Sequence, residues 1–149
     1  MSRRALAGAL GTAPAMVAAA ALVAGGCGGE TTGPSGPVPP APAAGTLTVV
    51  LATPRTDDGA LMLVVTGGPV HAVAAAPELA GAAVYQAALD SMRTRVILTG
   101  PLAAGPVATL QVPDVGRWTR YRLTLEQVAS SVSLQPQPLA GYRLSVVAR

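Results

Sequence analysis

The chain holds one cysteine, one histidine and no phenylalanine, and all ten of its basic residues are arginine. Each scarcity closes off chemistry. Cys27, being alone, cannot form an internal disulfide, which needs two thiols within bonding reach. His71, being alone, falls short of a zinc site, which usually takes several His or Cys ligands, and neither a metal nor any other cofactor is expected. A hydrolytic triad needs a nucleophile and an orienting acid around its histidine. No G-x-S-x-G nucleophile elbow occurs in the sequence, so a hydrolase has nothing positive behind it and His71 reads as a strand or sheet-edge residue. The aromatics are Tyr85, Trp118, Tyr121 and Tyr142. A core must therefore be built from Val, Leu, Ile and Ala, which suffices for one domain of about 100 residues.

What is present begins at the N-terminus. Arg3 and Arg4 precede an apolar, alanine-rich run from Ala5 to Ala24, with no charge between Arg4 and Glu30, and the run closes on Gly25-Gly26-Cys27. The order is basic, apolar, small, cysteine. A secretory signal has the first three of these parts, and small residues let an extended backbone enter a peptidase cleft. Pro14, Gly8 and Gly11 make the run a poor membrane-spanning helix.

The stretch Val23-Ala24-Gly25-Gly26-Cys27 resembles the lipobox of a bacterial lipoprotein, with Ala24 where that family commonly carries leucine. The resemblance implies a signal peptide over 1–26, a diacylglyceryl group on the Cys27 thiol and cleavage before Cys27. It also implies a chain held by lipid on the extracytoplasmic side of a membrane, in the outer membrane where the organism has one. Acyl chains contribute about 0.8 kcal/mol per buried methylene, so two or three give lasting attachment. Removal of 1–26 takes Arg3 and Arg4 with it and leaves eight arginines against seven acids. No block of like charge remains to suggest nucleic acid.

From Gly28 to Gly45 the chain is Gly, Pro, Ala, Ser and Thr around one charge, Glu30. Pro34, Pro37, Pro39, Pro40 and Pro42 can neither continue a helix nor pair in a sheet. Residues 27–45 read as the lipidated cysteine and a disordered tether, extending up to about 3.1 Å per residue.

Past Gly45 short apolar runs alternate with turn residues. Thr46–Thr53 is β-branched and stops at Pro54. Asp57-Asp58-Gly59 is a turn, with calcium binding as the alternative use of the paired carboxylates. Ala60–Thr66, Val70–Ala76, Ala82–Leu89, Arg93–Thr99 and Val107–Val112 are further strands, the third of these having helical propensity as well. Asp90-Ser91 reads as a hairpin turn, and Asp114 as a turn former after Pro113. From Thr119 the alternation is strict: Tyr121, Leu123 and Leu125 face one way, and Arg120, Arg122, Thr124 and Glu126 the other. A carboxylate at Leu123 is therefore expected to unfold the domain. Tyr142, Leu144 and Val146 repeat the pattern, with Arg143 and Ser145 outward. About eight strands over 46–149 predict an all-β fold, a small antiparallel β-sandwich. It resembles immunoglobulin-like and cohesin-like modules in general look.

The most suggestive cluster for binding is Arg117, Trp118, Arg120 and Arg122, since Trp and Arg are enriched at binding hot spots. Trp118 either stacks on a sugar or partner peptide or caps one end of the core. Arg93, Arg95 and Arg143 read as outward-facing sheet charges. The expected function is a membrane-anchored, non-catalytic binding or structural module whose partners are membrane lipid through Cys27 and an envelope protein or glycan. The alternatives are an accessory carbohydrate-binding or cohesin-like adhesion module and, last, a small cell-envelope hydrolase.

Overall fold

A computed structural model describes residues 41–148; the expectations for 1–40, including Cys27 and most of the tether, lie outside the described residues. Eight strands follow in chain order: β1 Gly45–Ala52, β2 Asp58–Thr66, β3 Ala72–Ala75, β4 Ala83–Asp90, β5 Arg93–Leu102, β6 Gly105–Val112, β7 Arg122–Ser130 and β8 Arg143–Ala148. A 3-10 helix, Val115–Arg120, links β6 to β7. The strands form two four-stranded sheets, ordered β3-β6-β1-β8 and β4-β5-β2-β7, and every pairing is antiparallel.

The two sheets pack face to face as a β-sandwich. Leu47, Val49 and Leu51 of β1 recur at every second position, as do Leu61, Leu63 and Val65 of β2, and all six lie in one buried cluster. A period of two puts such residues on one face. Val96 and Leu98 of β5 and Val107, Leu110 and Val112 of β6 complete the interior. The core is thus aliphatic apart from Tyr121 and Tyr142 at its margins, as the lack of phenylalanine requires. The Ala82–Leu89 run is a strand, and β4 lies at the edge of its sheet. Its edge position leaves Tyr85 61 % exposed.

Two departures from strict alternation matter. The first is a register shift opposite Met62 and Leu63, which pair with Gln127 and Leu125 and leave Glu126 without a counterpart. Such a bulge moves the inward set by one residue. Leu123 and Leu125 face inward before it, and Val128 and Ser130 are buried after it. Leu123 itself is only half-buried, because β7 is an edge strand. A carboxylate there can turn towards water, so the expectation that it unfolds the domain is too strong. The second shift lies between Asp58 and Ala60. At Gly59 a side chain would meet the Ser131 backbone at 2.6 Å, and the close approach needs glycine.

The run from Thr119 also starts differently from the expectation. Residues 115–120 are helical, and β7 begins at Arg122. Asp114 supplies the cap, its side chain accepting from the Gly116 N–H at 3.0 Å. The turn-forming aspartate expected after Pro113 is therefore a helix cap.

Candidate functional site

The strand register divides the sandwich into two ends. Gly45 pairs with Val112, Thr66 with both Arg93 and Arg122, and Leu47 with Ala148. One end therefore gathers the entry of the chain into β1, the turn after β2, the β4–β5 hairpin and the 3-10 helix. The opposite end gathers the β1–β2 turn, the β5–β6 hairpin and the 131–142 loop, since Asp58 pairs with both Leu102 and Ser130.

The entry end carries the predicted patch. Arg117, Trp118 and Arg120 lie on the 3-10 helix and Arg122 opens β7. All four are exposed, and Trp118 keeps 40 % of its surface accessible. Trp118 thus does not cap the core; Tyr121 takes the buried place beside it. The helix is held from both sides. The Val115 N–H donates to the Ala43 carbonyl at 2.8 Å, and the Tyr121 hydroxyl donates to the Pro69 carbonyl at 3.0 Å. Gly67, with φ +101°, lets the turn after β2 lie against the Arg120 carbonyl, where a β-carbon would overlap it. Burial, then the nearby Asp114 charge, raises the Tyr121 pKa above the usual phenol value.

Between these elements is a cleft of about 360 Å³ whose lining includes Pro42, Gly67, Met92, Arg117, Arg120 and Tyr121. Asp114 bonds Arg117 at 3.1 Å and Asp90 bonds Arg93 at 2.6 Å. Arg122 donates to the Thr119 carbonyl at 2.6 Å. Among the described residues neither Arg120 nor Arg122 has an acidic partner. Trp118 also borders a smaller recess of about 240 Å³ with Thr119, Arg122 and Ser145. His71 is exposed outside this patch, its backbone N–H bonded to Gln111 at 2.9 Å. Arg95 pairs across the sheet with Glu126 at 3.2 Å; Arg143 is exposed on β8.

The opposite end holds a polar network that the sequence does not announce. Asp58 is 2 % exposed. Its carboxylate accepts from Thr53 Oγ1 at 2.5 Å and from the Tyr142 hydroxyl at 2.6 Å. Gln137 Oε1 lies 2.7 Å from the same hydroxyl, and Gln137 Nε2 donates to Asp57 Oδ2 at 3.4 Å. Asp57 also accepts from Ser130 Oγ at 2.6 Å. Ser130 Oγ in turn accepts from the Val132 and Ser133 backbone N–H groups at 3.1 and 3.2 Å. The network ties the β1–β2 turn to the 131–142 loop. Both carboxylates already face hydroxyl donors, which a cation would have to displace. Among the described residues no three His, Cys, Asp or Glu side chains come together as a metal site. Asp57 and Asp58 thus act as closing groups rather than as a simple turn. Tyr142 lies in the buried cluster, as its alternation predicts, while its hydroxyl partners lie 84 and 5 residues away and no sequence spacing points to them.

The Ser130 hydrogen bond is the main cause holding the Asp57 pKa below the usual carboxylate value. Tyr142 is pushed the other way, first by burial and then by its bond to Asp58. A raised tyrosine pKa contributes stability in full below the unfolded phenol value of about 10, and this is lost as pH rises past it. Thermal melts between about pH 9 and 11 should therefore show a falling midpoint. Tyr142→Phe should cost about 1–3 kcal/mol at neutral pH, because Asp58 stays buried with one donor fewer, and should flatten the alkaline fall. A wild-type midpoint unchanged across that range would contradict the assignment.

No protein family, curated protein or solved structure matches this chain.

Proposed function

We propose that the protein is a lipid-anchored lipoprotein of the cell envelope whose β-sandwich is a non-catalytic binding or structural module. The observation that carries this reading is the position of Cys27, the sole thiol, directly after Val23-Ala24-Gly25-Gly26 and before a proline-rich stretch. The thiol has no disulfide to make and sits where a diacylglyceryl group would be received. The sandwich is consistent with the reading because the described strands, from Gly45 onwards, bury an aliphatic core of their own.

The test is fractionation of the producing cell. The chain should sediment with membranes, resist extraction by high salt and alkaline carbonate, and enter the detergent phase on partition. Recovery in the soluble fraction would overturn the reading. A second reading, an accessory glycan-binding module, draws on one feature: Trp118 is exposed beside a recess that also presents Thr119, Arg122 and Ser145.

A further inference from the structure

We infer that the entry end of the sandwich docks onto an anionic lipid surface through Trp118, Met92 and the arginines of the 3-10 helix. The inference rests on the lipid-anchor reading and gives the exposed patch a ligand class.

Three observations converge. The first is composition. Leu89, Met92 and Trp118 are 41 %, 49 % and 40 % exposed at this end; Val132 and Leu134 at the opposite end are more exposed, and what sets this end apart is the chain's one tryptophan. Tryptophan prefers the headgroup level of a bilayer, where its ring is half in hydrocarbon and its N–H is in water. The second is charge. Arg93, Arg117, Arg120 and Arg122 stand at this end against Asp90 and Asp114, and Arg120 and Arg122 have no acidic partner among the described residues. The opposite end is acidic by contrast, with Asp57, Asp58 and Glu78 against Arg55 and Arg143. The two ends of the sandwich therefore differ in the sign of their charge, and the basic end is complementary to anionic headgroups.

The third is connectivity. The chain enters the fold at this same end, with Pro42 lining the cleft beside Arg117 and Met92. Only the fourteen residues from Gly28 to Ala41 separate it from Cys27. At about 3.1 Å per residue a proline-rich segment of that length reaches no further than about 43 Å. On the lipid-anchor reading the basic end stays within that reach of the surface, and tethering of this kind raises its effective concentration there. Weak contacts then suffice. Each arginine near an anionic surface changes occupancy by about fivefold.

Trp118 is the sole tryptophan, so its fluorescence reads this end of the molecule directly. The mature lipidated protein would be reconstituted into phosphatidylcholine vesicles with and without phosphatidylglycerol, each also prepared with brominated acyl chains. Sedimentation with vesicles reports the anchor and bromine quenching of Trp118 reports docking. Docking predicts a blue-shifted, quenched Trp118 in phosphatidylglycerol vesicles only. It predicts release of the quenching by high salt while sedimentation persists, and a loss of occupancy of about 25-fold in Arg117→Gln/Arg120→Gln. Both side chains are exposed, so this variant should keep the wild-type melting midpoint.

A lipidated, sedimenting protein with unquenched Trp118 would overturn docking and leave the anchor standing. The same holds if Trp118 responds to envelope oligosaccharides and not to phosphatidylglycerol, which favours the glycan reading. A protein without lipid on Cys27 would overturn both.

Discussion

Leu63→Asp should leave no folded protein. Leu63 is fully buried on β2, a strand flanked on both sides by β5 and β7, and it belongs to the aliphatic cluster between the sheets. No basic side chain lies in that cluster to pair with a new carboxylate. A buried, unpaired acid costs several kcal/mol even after its pKa rises to neutralise it, and the whole domain has about 5–15 kcal/mol of stability. Leu123→Asp should be milder, since Leu123 is half-buried on the edge strand β7. Arg122→Asp should be milder still and lose mainly the bond to the Thr119 carbonyl. Circular-dichroism melts of the three variants give the order directly. Equal midpoints for Leu63→Asp and Arg122→Asp would contradict the assignment of the core.

Cys27→Ser should abolish lipidation while leaving the domain intact. A thioether needs a thiol, and a serine hydroxyl is far less nucleophilic at neutral pH. The variant is expected to accumulate as uncleaved precursor or to leave the detergent phase. Its β-sandwich should melt as the wild type does, because Cys27 lies eighteen residues before β1 and has no partner cysteine. Immunoblotting of membrane and soluble fractions checks the first part and a melt of the purified variant checks the second. A cleaved Cys27→Ser chain that still enters the detergent phase would mean that something other than the Cys27 lipid holds the protein.

Most strands were legible as apolar runs between breakers. Pro54, Gly67-Gly68-Pro69, Pro77 and Pro113 lie between strands, at positions that proline and glycine enforce locally, whereas β5 runs on through Gly100-Pro101 to Leu102, past its expected end at Thr99, and β6 includes Gly105-Pro106. The inward phase of β1 and β2 was legible for the same local reason. Which strands lie at the edges was not, since Leu123 and Leu63 carry the same side chain in similar alternating runs and differ only in their neighbours. The bulge at Glu126 was hidden as well, because one extra residue leaves composition unchanged. The 3-10 helix had a signal in Pro113-Asp114, read as a turn rather than as a cap. The basic and aromatic patch was visible as Arg117-Trp118-Thr119-Arg120-Tyr121-Arg122. Its setting beside Met92 and Pro42 depends on strand pairing. The Asp58–Tyr142 bond joins residues 84 apart and belongs wholly to the tertiary fold.

The most direct test of the account is the mass of the N-terminal peptide of the protein purified from membranes. The expected peptide begins at Cys27 and carries a diacylglyceryl thioether, with or without an acylated amine. A peptide beginning elsewhere, or an unmodified Cys27 thiol, would contradict the account and leave a β-sandwich with no lipid to hold it.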